Sequence, residues 1–141
     1  MSENGRFNGL SEPDWSMIFS DELEQQNARQ SWLAATAGMR ETGTLARENE
    51  PALLRLVSTY ILYDRCMRQV AENGAVIAPR RKNSKAIARV SPHFTTMTKL
   101  AAESLALEAE LGISPRARGK VSPARRKSNR LIGGGYLKIV K

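Results

Sequence analysis

The sequence predicts a mainly α fold: a long antiparallel helical hairpin, a third helix and a small β-like arm. Three observations predict it. Apolar residues recur at i, i+3, i+4 spacing along three long stretches, each of the stretches ends at a glycine, and 41% hydrophobic residues in a chain of 141 suffice for one core. A domain of this size buries only about two thirds of its unfolded surface, so self-association would add stability.

Residues 1–11 are polar, rich in Gly and Asn and without periodicity, which predicts a mobile N-terminus ahead of a helical core domain over 12–112. Ser11-Glu-Pro-Asp-Trp reads as a helix start with Pro13 in the first turn, and Trp15, Ile18 and Phe19 fall on one helical face. Ser20-Asp-Glu-Leu offers a second cap. From about Asp21 to Glu41 the stripe continues through Trp32, Leu33, Thr36 and Met39, and Gly43 closes it.

The second helix starts at Glu48-Asn-Glu-Pro51, where acids and proline suit a helix N-terminus. Leu54, Val57, Ile61, Cys66 and Val70, flanked by Leu53, Leu56 and Tyr60, form a wide apolar stripe up to Asn73-Gly74. A short turn between two such helices predicts antiparallel packing. Trp15, Ile18, Phe19, Leu53, Leu56, Val57, Tyr60 and Ile61 together exceed what one thin hairpin can cover, and are expected to lie between subunits.

Residues 75–90 are expected to form a basic arm. Ala-Val-Ile-Ala and Ala-Ile-Ala-Arg-Val read as short strands around the turn Pro79-Arg-Arg-Lys-Asn-Ser-Lys, an extended loop being the alternative. Ser91-Pro92 then caps a third helix with Met97, Leu100, Ala101, Leu105, Leu107 and Leu111 on its apolar face, ended by Gly112. Residues 113–141 are a basic C-terminal tail with a glycine hinge, Gly133-Gly-Gly, before the apolar tip of Tyr136, Leu137, Ile139 and Val140. That tip suits strand addition to a protein partner, folding back on its own assembly being the alternative.

Charge is distributed unevenly. Residues 1–51 carry −5, residues 52–110 carry +4, and residues 111–141 carry +9 with no acid at all. A basic end beside an acidic beginning predicts a polyanion-binding segment, a solvated tail that keeps the protein soluble being the alternative. The candidate DNA-binding residues are Arg80, Arg81, Lys82, Lys85 and Arg89 on the arm, and Arg116, Arg118, Lys120, Arg125, Arg126, Lys127 and Arg130 on the tail. Long basic side chains on projecting segments reach phosphates without the domain body colliding with a duplex.

Much chemistry is excluded. One cysteine permits no disulfide framework, and Cys66 with His93 makes no zinc cluster. On helical spacing Cys66 reads as a small buried hydrophobe and His93 as a residue of the capping region. The glycines at 133–135 lack the spacing of a phosphate loop, and the acids of residues 12–24 fit helix N-termini better than a metal or acid/base site. No catalytic residue, cofactor or metal is expected. No apolar run is long enough to span a membrane and no signal peptide is visible, so a cytoplasmic protein is expected.

Trp32 on a first helix, Gly43-Thr-Leu45 opening a second that runs through Leu53-Leu-Arg-Leu-Val-Ser-Thr-Tyr60 to Gly74, Ser91-Pro92 before a third, and the closing Leu111-Gly-Ile-Ser-Pro-Arg-Ala-Arg118 resemble the small terminase subunits of tailed bacteriophages, in their P27-type family. The resemblance covers about Asp21 to Lys120. Asn49 and Ser91 stand where that family usually has Asp and Asn, both at helix-capping positions. It implies a non-catalytic homo-oligomeric ring in the host cytoplasm that binds double-stranded viral DNA near the packaging start and regulates the ATPase and nuclease of the large terminase subunit. Two rival readings are a helix-turn-helix transcriptional regulator using the turn near Gly43, and a structural adaptor whose tail docks a protein partner.

Overall fold

The apolar stripe from Leu53 to Ile61 is the axis around which the chain folds. The computed structural model describes residues 10–79, 85 and 87–114. Within them α1 runs Glu22–Glu41, α2 Glu50–Asn73 and α3 Pro92–Leu111, with β1 (Val76–Ile77) and β2 (Arg89–Val90) between α2 and α3. Single 3-10 turns at Trp15–Met17 and Arg47–Asn49 lead into α1 and α2. The mainly helical architecture and the two-stranded arm expected from the sequence are both present.

Each helix starts and stops for a local reason. Asp21 caps α1 by accepting from the Leu23 N–H at 2.9 Å, and Ser91 caps α3 by accepting from the His93 N–H at 3.2 Å. At the end of α1, Gly43 adopts φ 70°, and the Thr44 N–H reaches back to the Met39 carbonyl at 2.8 Å while that of Gly43 reaches Arg40 at 3.2 Å. This double bond pattern satisfies carbonyls the helix leaves open, and it turns the chain back so that α2 runs antiparallel to α1. Asn49 stands at the N-cap of α2, yet its side chain donates to the Thr44 carbonyl at 3.1 Å and holds the turn instead of the helix end.

The chain enters differently from the expected helix at Ser11. Asp14, not Ser11, caps the turn at Trp15–Met17, and the helix proper begins only after Ser20. That turn folds Trp15 against Trp32 edge to face, ring centroids 5.9 Å apart, with Phe19 stacked beyond at 6.4 Å.

α1 and α3 pack on different flanks of α2, each antiparallel to it. The core unites Leu10, Trp15, Phe19, Ala28, Trp32, Met39 and Leu45 with Leu53, Leu56, Val57 and Ile61 of α2 and Leu107 and Leu111 of α3. Trp15, Phe19, Leu53, Leu56, Val57 and Ile61, expected between subunits, are therefore enclosed by the chain's own core, because the 3-10 turn and α3 cover the hairpin. Of that set only Ile18 is exposed, and Tyr60 is half-buried. Cys66, expected to be buried, is half-buried.

Burial is lopsided along the bundle. No residue of α2 beyond Ile61 is fully buried, nor any residue of α3 before Leu107. The far ends of α2 and α3 thus form a two-helix stem that carries the arm.

Candidate nucleic-acid interface

The arm grows from the top of the stem. α2 stops where Gly74 takes φ 81° and ψ 162°, a region closed to residues with a side chain, and its N–H still bonds the Val70 carbonyl at 2.7 Å. β1 then pairs antiparallel with β2, Val76 opposite Val90 and Ile77 opposite Arg89. A further bond from the Ser91 N–H to the Ala75 carbonyl, 2.8 Å, ties the root of the arm to the residue that caps α3. Both strands are anchored to helix ends, so a two-stranded ribbon too short to stand alone is tied to the stem and follows its position.

Lys85 lies exposed at a turn of this arm and Arg89 lies exposed on β2. Arg80, Arg81 and Lys82, and on the tail Arg116, Arg118, Lys120, Arg125, Arg126, Lys127 and Arg130, lie outside the described residues, as do Tyr136, Leu137, Ile139 and Val140 at the tip. The geometry brings Lys85 and Arg89 onto one arm. His93 is exposed in the first turn of α3, as its position in the capping region suggests.

Glu72 stands exposed in the last turn of α2, and the sequence beyond it is basic. Between Glu72 and Glu103 the sequence contains no acid, and it contains Arg80, Arg81, Lys82, Lys85, Arg89 and Lys99. The first turn of α3 carries no acidic residue either, so the positive end of its helix dipole is added to the same field.

Two polar contacts between helices were not foreseen from the sequence. Glu24, buried on α1, receives Arg65 Nε at 2.9 Å and Arg65 Nη2 at 2.6 Å from α2, with Arg68 Nη2 at 3.3 Å. The hydrogen bond from Arg65 holds the Glu24 carboxyl below the ordinary carboxylate range, against the opposing effect of burial. On the other flank the Tyr60 hydroxyl donates to Glu108 Oε1 at 2.5 Å, and burial together with that carboxylate pushes the phenol well above its usual range. Both are ties between helices. Their partners stand more than forty residues apart in sequence, beyond the reach of any local pattern.

A shallow recess of about 140 Å³ between α1 and the end of α3 is lined by Ala34, Ala35, Gly38, Met39, Thr42, Gly112 and Ile113, with no titratable group on its walls. Among the described residues no group of three or more His, Cys, Asp or Glu could hold a metal ion, and no helix is long and apolar enough to cross a membrane.

The fold defines a class: a small three-helix domain with a two-stranded arm, bearing Lys85 and Arg89, between its second and third helices. The chain belongs to the phage terminase small subunit family, whose family model matches residues 28–128. No curated protein and no solved structure matches it.

Proposed function

We propose that this chain is the regulatory small subunit of a phage packaging motor. As a homo-oligomeric ring it captures double-stranded viral DNA near the packaging start and modulates the ATPase and nuclease of the large terminase subunit, with no catalysis of its own. The observation that carries this reading is the acid-free stretch between Glu72 and Glu103, which runs through the arm and the first half of α3. Family membership supplies the packaging context. Phosphate contacts from one arm are weak, but contacts repeated around a ring act at high effective concentration and add to firm capture.

The tail extends the same chemistry, and its tip, with Tyr136, Leu137, Ile139 and Val140 beyond three glycines, serves the large subunit as an added strand. A helix-turn-helix regulator is disfavoured. The turn that would lead into its recognition helix, α2, is flanked by Glu48 and Glu50, where a helix entering the major groove should be basic.

Titration of duplex DNA at several salt concentrations tests the proposal. Replacing Arg80, Arg81, Lys82, Lys85 and Arg89 with Ala weakens binding and flattens the salt dependence by roughly 0.9 log unit per lost phosphate contact. Deleting residues 116–130 has the larger effect. Parental affinity and slope in both variants would show that the charge serves solubility alone.

A further inference from the structure

α3 has only four charged side chains in its twenty residues (Lys99, Glu103, Glu108 and Glu110), yet within the subunit it buries only Leu107 and Leu111. A helix that is largely apolar around its circumference belongs between other elements. Its outward face explains the excess. Thr95, Thr98, Ala102, Leu105 and Ala109 are all exposed, and they follow one another at intervals of three and four residues. Leu105 is 65% exposed. The two threonine hydroxyls are already engaged with carbonyls of the chain, Thr98 with Thr95 at 2.8 Å and Thr95 with Ser91 at 3.4 Å, so covering this face strands neither of them.

α1 carries the same pattern on its outward face. Leu23, Gln26, Gln30, Leu33 and Ala37 repeat the three-four spacing, all exposed and none charged, with Leu23 at 54% and Leu33 at 51%. Three-four repeats of uncharged residues are the seam pattern of paired helices. Each seam lies on the side of its helix away from α2, and α1 and α3 occupy different flanks of α2, so a subunit cannot close the two seams on each other.

Charge fixes how two copies would join them. Along one edge of the α1 seam stand Glu22 and then Arg29, and on the edge of the α3 seam that faces it in a parallel pair stands Lys99, opposite Glu22 when Leu33 and Leu105 are level, with Glu103 following it turned further out. The signs are opposite in order when the two helices run in the same direction. α1 and α3 do run in the same direction, because each is antiparallel to α2, and rotation about an axis along the helices preserves that. Arg29 also lies 3.5 Å from Glu12 but is 66% exposed, which leaves its guanidinium accessible to a second carboxylate.

We propose that α1 of one copy packs in parallel against α3 of the next, Leu33 against Leu105, so that each subunit uses two different faces and successive contacts close a ring. This inference rests on the ring reading above and assigns it an interface. A head-to-tail contact of this kind generates closed rings or filaments, whereas a contact between like faces stops at a dimer.

Cross-linking tests it in the full chain with Cys66→Ser as background. Leu33→Cys and Leu105→Cys proteins are prepared separately, mixed under conditions of subunit exchange and oxidised. The expected result is a disulfide-linked dimer holding one copy of each variant, formed in the mixture and in neither protein alone. Cross-linking of Leu33→Cys or Leu105→Cys with itself would overturn the head-to-tail contact. An intact ring with no mixed product would overturn this interface while leaving the ring, and a monomeric background protein in sedimentation at micromolar concentration would overturn both. As a second measurement, Lys99→Glu shifts assembly to higher concentration and Glu22→Lys added to it restores assembly, with helix content by circular dichroism unchanged. Failure of the second change to restore assembly counts against the pairing.

Discussion

Arg65 grips Glu24 through two parallel hydrogen bonds, and this fork is the polar clasp between α1 and α2. The Glu24 side chain is only 5% exposed whereas that of Arg65 is 50% exposed, so the two partners do not stand equally in water. Glu24 is also the third residue of α1 after the Asp21 cap, a position from which a glutamate usually turns back on its own helix end. Here it reaches across to α2 instead.

That inequality predicts an asymmetric response. Arg65→Ala leaves a buried carboxylate with only the longer contact to Arg68 and costs about 2 kcal/mol, whereas Glu24→Gln leaves two arginines able to hydrate and costs about 1 kcal/mol. Replacing both residues with apolar ones, Glu24→Leu with Arg65→Met, is closer to neutral than Arg65→Ala. Urea unfolding of the three variants checks the order, and equal losses for the two single changes would contradict it.

Acid and alkali act on different flanks. The Glu24 carboxyl is lowered in the folded chain, so its contribution is complete above the ordinary glutamate range and is lost as pH falls through the folded value. The Tyr60 phenol is raised, so its contribution is complete below about 10 and is lost as pH climbs toward the folded value. Glu24→Gln therefore flattens the acid limb of a stability profile and Tyr60→Phe flattens the alkaline limb. A variant that flattened the opposite limb would refute the assignment.

Two glycines should respond in opposite senses to the same change. At Gly74 the backbone sits at φ 81° and ψ 162°, and Gly74→Ala costs about 1 to 3 kcal/mol. At Gly38, mid-helix in α1, an added Cβ meets nothing within 4 Å, and Gly38→Ala raises stability by about 0.5 to 1 kcal/mol. Thermal melts of the two proteins decide.

The tip proposed to engage the large subunit is tested by truncation after Ile132. Assembly mass stays that of the parent while stimulation of the large subunit's ATPase falls. Unchanged stimulation rejects the docking role, and loss of the assembly would show that the tip belongs to the ring itself.

Helix ends were legible because capping is local. Gly43, Gly74, Gly112 and Ser91-Pro92 mark their termini within a few residues, and the three helices and the arm follow from them. Leu105 was not legible. A stripe through Met97, Leu100, Ala101 and Leu107 can be continued by residue 104 or 105, and size favours the leucine, yet Ser104 turns inward and bonds the Ala101 carbonyl while Leu105 faces out. The clasp at Glu24 was hidden for a related reason, since an acid in the first turn of a helix is already explained by the dipole. For the candidate interface, the cationic arm was legible as charge and turn chemistry, whereas its anchoring through Ser91 and Ala75 depends on two segments meeting in space.

Because full burial in α2 ends at Ile61, the helix is not uniformly guarded against opening. Amides near Leu53 to Ile61 exchange with deuterium only when the whole subunit unfolds, whereas those of residues 66–73 and of the first turns of α3 exchange through local fraying that leaves the core intact. A neighbouring copy laid along α3 would slow this second class selectively. The bearing of the arm would then be set by assembly, and a lone subunit would hold its ribbon on a loose mount.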